Sequence, residues 1–207
     1  KKLFGAGRKA SIIKTTGNIA CITITSNYNE IHDLGFLGTG KGATYDASGN
    51  ASQRGIYLNG GGTVGLLNLI SGCHFTGFGR AGVTVEQTNA SAHQPNQLNG
   101  CLFDNNNIGL ERAVQGEYVS AVGCDFWQNH YGEYIRGGNA VTVGGSSVDN
   151  LTGVFLASGS NDSHGVHTGM LINHNIDYNV RAQAITNGYV FEACAMYEGD
   201  ILLTGSA

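Results

Sequence analysis

The stretch NGCLFDNNNIGL, Asn99–Leu110, returns in altered form one step later as VGCDFWQNHYGEY, Val122–Tyr134. Each copy runs Gly-Cys-x-Phe, then an Asn-containing turn, then Gly and a new strand. Aligned on Gly-Cys-x-Phe, the chain gives one column at Cys73, Cys101, Cys124, Ser146, His174 and Cys194. A second column, two residues on, holds Phe75, Phe103, Phe126, Val148, Ile176 and Met196, and HDLGFLG fits the same frame with Leu34 and Phe36. The shortest step in the Phe column is 20 residues (176 to 196) and the longest 39 (36 to 75). Longer steps carry loop-like inserts: GTGKGATYDASGNASQ, EQTNASAHQPNQ and SGSNDSHG. A coil of fixed length with insertions at its corners has this signature.

A second strand opens each coil, beginning at Gly55, Gly82, Gly109, Gly132 and Gly153. A third, less regular strand is read in LLNLIS, YVSAVG, AVTVGG, GMLINH and GYVFEA. Period-2 alternation sends one side chain inward and the next outward. Stacking places like positions about 4.8 Å apart, so Phe rests on Phe and Cys on Cys. Each buried Phe is worth roughly 1.5–3 kcal/mol. The fold expected is all-β: a right-handed, single-stranded parallel β-helix with about three short strands per coil, the hand following the rule for parallel crossovers. A β-sandwich also has many strands and Gly-rich turns, but it leaves the recurring column unexplained.

Composition agrees. Gly is abundant at 33 residues and Pro nearly absent at 1, which suits short strands joined by tight turns. Apolar residues make up 41% of the 207, enough to bury a core. Charged residues reach only 13%, the net charge is −4 and no Lys/Arg block occurs, so nucleic-acid binding is not expected. No apolar run approaches the roughly 18–20 residues of a membrane span, and membrane insertion is not expected either. The whole of 1–207 is read as one β-helix domain. KKLFGAGRKASIIKTT looks like the middle of a fold and ILLTGSA ends on a strand, so a longer parent polypeptide is expected.

Several features invite chemistry and are read as structural. Four of the five Cys occupy the inward column, where free thiols pack as small apolar groups, and none has the C-x-x-C spacing of a zinc site. No metal or cofactor is expected. GAGRKA, Gly5–Ala10, matches a dinucleotide fingerprint in form, but the strand-like SIIK follows where a helix is required. N-x-S/T sequons stand at Asn50, Asn89, Asn150 and Asn161.

The first coils carry a resemblance. LFGAGRKASIIKTTGNIACITITSNYNEIHDLGFLG resembles the opening of the pectate-lyase-like β-helix superfamily, with a Gly-x-Gly turn before S-I-I and a later I-x-D-L-x-F strand. Low charge, Asn-rich corners and large outward aromatics resemble its bacteriophage tailspike and tail-fibre branch. That resemblance implies a homotrimer in the tail of a virion, acting outside the cell, which binds bacterial surface polysaccharide (capsule or O-antigen) and often cuts it. The calcium-binding Asp cluster and catalytic Arg pattern of pectate lyases are not evident, so no family active-site residue carries over.

Candidate residues come instead from spacing. The second residue after each strand-opening Gly is expected outward, at Tyr57, Thr84, Glu111, Tyr134 and Phe155; so is the fourth, at Asn59, Glu86, Ala113, Arg136 and Ala157. Tyr57, Tyr134, Phe155 and Arg136 would bind sugar. Glu86 and Glu111 fall one rung and two residues apart, roughly 8 Å along the diagonal. An inverting glycosidase needs about 6.5–9.5 Å, to leave room for water between acid and base. A second strip on the Cys–Phe strand holds His74, Leu102, Asp125, Ser147 and Asn175, with Trp127 and Tyr131 at the next corner. Asp125 and Trp127 are its substrate-binding candidates. Hydrolysis is the activity expected, with a non-catalytic adhesive segment and a secreted polysaccharide lyase as rivals. For a lyase, Arg112 and Arg136 are the available cations.

Overall fold

The computed structural model describes residues 1–42, 51–60, 67–87, 96–113, 119–157, 164–183 and 188–204. Among them all regular elements are strands, arranged as three parallel sheets of eight strands each. Every coil gives one strand to each sheet in turn, which makes the chain a parallel β-helix. In the coil of the opening stretch, sheet A takes Asn96–Asn99, sheet B Leu102–Asp104 and sheet C Ile108–Arg112. One coil on, the same sheets take Val119–Val122, Asp125–Trp127 and Tyr131–Ile135. GAGRKA leads into the strand Ile12–Lys14, so no dinucleotide fold follows it.

The Phe ladder exists. Phe36, Phe75, Phe103 and Phe126 stack with ring centroids 4.8, 5.0 and 5.0 Å apart, all buried. This stack explains the glycine column. A Cβ on Gly109 would stand 2.8 Å from the Phe126 ring and 2.5 Å from the Gly132 carbonyl oxygen. Gly55 and Gly82 meet Phe75 and Phe103 in the same way. Only a residue without a side chain lets the coil close over the rings.

Past Phe126 the register differs from the sequence reading. The ladder runs through Ser147, Ile172 and Met196, not through Val148 and Ile176. The Cys column continues from Cys124 to Gly145 and Met170 before reaching Cys194; the backbone bonds from Ser146 N to Cys124 O, Leu171 N to Gly145 O and Ala195 N to Met170 O fix it. Ser146 and His174 therefore lie outside the column. Ser147, expected outward, is buried. GMLINH is not a third strand: Leu171–Asn173 belongs to sheet B, and sheet A takes His164–Thr168. Gly-Gly-Ser-Ser and Gly-Met-Leu-Ile replace Gly-Cys-x-Phe in these coils, and a slip of one residue turns every side chain to the other face.

Asparagine forms the corner between sheets B and C. Asn129 Oδ1 accepts from the backbone and side-chain nitrogens of Asn106 (3.0 and 3.1 Å), and Asn150 and Asn175 repeat the pattern one and two rungs on. The Nδ2 groups of Asn106, Asn129 and Asn150 also reach the carbonyls of Phe75, Phe103 and Phe126. Each amide thus satisfies buried backbone groups of two coils. Asn175, expected outward, belongs to this ladder, and Asn150 is too buried to serve as a sequon. Asn50, Asn89 and Asn161 lie outside the described residues. All five cysteines are free thiols, with Cys73, Cys101 and Cys124 buried.

Inside the coil sits one polar layer. Arg112, Glu133, Thr142 and His167 are fully buried in the lumen. Arg112 pairs with Glu133 and donates to Thr142 Oγ1 (3.1 Å), and Glu133 also bonds His167 Nε2 (2.8 Å) and Thr142 Oγ1 (3.0 Å). Burial raises the Glu133 carboxyl, but the Arg112 charge, then His167 and its hydrogen bond, outweigh it and bring the group to about 2. Arg112 is therefore a core cation, out of reach of any uronate. Its column also holds Ile24, Leu58, Val85, Ile135, Leu156 and Ala182.

Candidate functional site

The outer face of sheet C carries a continuous group of aromatic and charged side chains. Register puts Tyr57, Thr84, Glu111, Tyr134, Phe155 and Arg181 in one column. The strand-opening glycine bends the chain, so the residue before it faces out as well: Arg54 lies 4.6 Å over the Tyr57 ring, and Tyr131 meets Tyr134 at 5.4 Å.

The first half of this face is ionic. Arg80 forms a two-point pair with Glu111, its Nε 3.0 Å from Oε2. Thr84 Oγ1 donates to the same oxygen (2.9 Å) and accepts from Arg54 Nε (3.0 Å). Tyr57 donates its hydroxyl to Glu86 at 2.5 Å. Burial, then that bond to Glu86, pushes the Tyr57 phenol up to about 12. The second half is aromatic. Phe155 stacks on Tyr131 (5.4 Å), meets Tyr134 edge-on (5.1 Å) and carries the Arg181 guanidinium 4.8 Å above its ring.

Register puts Glu86 and Glu111 one rung and two residues apart. Ala113 N bonds Val85 O, so Ala113 lies beside Glu86, one rung on and two residues past Glu111. Their surroundings differ. Glu86 is partly open, whereas Glu111 is 1% exposed beneath Arg80. Arg136 shares the Glu86 column, since its N bonds Arg112 O.

Asp125 and Trp127 belong elsewhere. Both face outward from sheet B, Asp125 accepting from Ser146 Oγ (2.7 Å) and Trp127 donating Nε1–H to Asp149 Oδ2 (2.9 Å). The predicted residues therefore divide between two faces. Arg54, Arg80, Tyr131 and Arg181 complete the sheet C face, and spacing counted from the glycine passes over the residues ahead of it. Arg181 is legible in the sequence as the column's next member after Phe155. Rings offer flat faces to the apolar C–H side of a pyranose, and guanidinium and carboxylate groups bond its hydroxyls. No family model matches the chain, and comparison with curated proteins returns no relative.

Proposed function

We propose that this chain is part of a phage tailspike or tail-fibre protein that binds bacterial surface polysaccharide along the outer face of sheet C. The observation that carries this reading is the continuous Tyr131–Tyr134–Phe155–Arg181 stack adjoining the Arg80–Glu111 and Tyr57–Glu86 pairs. Sugar rings lie on the partly exposed Tyr131 and Tyr134, and hydroxyls meet the ionic half, with Arg136 at its edge. Phe155, itself only 6% exposed, backs those rings and does not meet the sugar directly. Hydrolysis is part of the proposal, with Glu86 as acid and Glu111 as base once Arg80 is displaced by substrate. Self-association as a homotrimer would use sheet A, whose outer face leaves Val122, Val143 and Val190 exposed and apolar.

The burial of Glu111 favours a second reading, an adhesin that binds without cutting. Incubation with capsule and O-antigen panels separates the cases. New reducing ends support hydrolysis, unsaturated uronate absorbance points to a lyase, and retained binding with neither product leaves the adhesin. Glu86→Gln and Glu111→Gln should each abolish hydrolysis; full activity in both variants discards the pair. Failure to bind any glycan discards the reading itself.

A further inference from the structure

The corner between sheets B and C holds a separate groove of about 570 Å³, lined by Lys41, Asn105, Gln128, His130, Asp149 and His174 among others. Its architecture follows from the asparagine ladder. Each ladder Asn turns inward, and the residue before it takes a left-handed conformation: Asn105 (φ 53°), Gln128 (φ 54°), Asp149 (φ 55°) and His174 (φ 52°). That geometry leaves those four side chains exposed, one per rung, over about 14 Å of the coil axis. Lys41 closes the upper end, donating to Asn105 Oδ1 (2.9 Å) and Gln128 O (2.8 Å). Trp127, just ahead of Gln128, is tied to the groove by its bond to Asp149, which fixes an indole that stays 44% exposed.

Carboxylates along the groove are at least as many as its cations. Lys41 shares the groove with the Asp149 carboxylate, and His174 meets Glu198 on the next rung. Burial, then the nearby Lys41 charge, holds His130 below its ordinary value, so it adds no cation at neutral pH. Asp104, which also faces Lys41, is engaged by His74 at 2.6 Å. What remains is a row of amide, carboxylate and ammonium groups beside a fixed aromatic plate.

We propose that this corner groove is a second saccharide site, taking a neutral pyranose unit laid on Trp127 with its hydroxyls shared among Asp149, Gln128, Asn105 and Lys41. It rests on the glycan-binding reading but uses none of the sheet C residues. Trp127 is the chain's one tryptophan, so its emission reports this groove alone. The experiment titrates the protein with neutral O-antigen oligosaccharides and with acidic capsule oligosaccharides of equal length, following Trp127 emission and binding heat together. A saturable emission change with the neutral set is expected. Asp149→Ala and Lys41→Ala should each weaken that response about tenfold with an unchanged circular dichroism spectrum, while Tyr134→Ala leaves it intact. Binding heat with unmoved emission and no effect of Trp127→Ala overturns this site and spares sheet C. Stronger response to the acidic set overturns the neutral assignment. Neither heat nor emission change with any glycan overturns both readings.

Discussion

The guanidinium of Arg112 and the carboxylate of Glu133 meet inside the coil, from neighbouring rungs of sheet C, with neither side chain reaching solvent. Such a pair does not raise stability over well-packed apolar groups, yet removing one partner strands a buried charge. Glu133→Gln or Arg112→Ala should each cost about 3–5 kcal/mol in denaturant unfolding. The double replacement Arg112→Leu with Glu133→Leu should recover most of that loss. A double variant as unstable as the sum of the singles would show that the pair is worth more than apolar packing.

The same carboxylate makes stability pH-dependent. Its folded value lies near 2, below the ordinary 4.5. The unfolded chain therefore binds the proton first, and the contribution is fully present above about 4.5. It is lost as pH falls toward about 2. Wild-type unfolding free energy should decline through that window. Glu133→Gln, already destabilised at neutral pH, should lose less there, and acid titrations of both proteins by circular dichroism check it.

The aromatic ladder and its glycine column should fail in different ways. Phe103→Ala removes a ring between two others and should cost about 3–5 kcal/mol while the fold persists. Gly109→Ala instead drives a methyl group to 2.5 Å from the Gly132 carbonyl. Backbone cannot yield there without opening the rung, so little folded protein should be recovered. Soluble yield and melting temperature compare the two.

In the corner ladder Asn129 both accepts and donates. Asn129→Asp keeps the acceptor for Asn106 but turns the donor facing Phe103 O and Asn150 Oδ1 into a repelling oxygen. It should destabilise at least as much as Asn129→Ala, by about 1–3 kcal/mol for each buried group left unpaired. Thermal unfolding above pH 6 measures the order, and a neutral effect of Asn129→Asp would contradict this direction of the hydrogen bonds.

Buried thiols should be silent. Cys73, Cys101 and Cys124 are at most 1% exposed, so a thiol reagent should leave them unmodified in the native protein. All five cysteines should react after denaturation. Fewer than five under non-reducing denaturation would reveal a disulfide.

Much of the fold is legible in the sequence because a parallel coil repeats its demands. Phe75, Phe103 and Phe126 announce the ladder, the glycines before Ile56, Val83 and Leu110 follow from it, and the outward column from Tyr57 to Phe155 lies where the spacing places it. Register is lost where Ser147 and Ile172 replace Phe, since nothing local tells an inward serine from an outward one. Glu133 carries a signal of its own: it occupies the column of Ile56, Val83, Leu110 and Val154. Position there means inside, whatever the polarity.

The sequence by itself determined the coil, because side-chain period and turn chemistry act over a few residues and recur at every winding. Only the tertiary structure decided which carboxylate is covered, which cation lies in the lumen and which corner opens as a groove. Those outcomes depend on partners one rung away, such as Arg80 over Glu111 and Trp127 against Asp149, separated by 31 and 22 residues along the chain. Contacts at that remove are set by stacking, and stacking is a property of the folded coil.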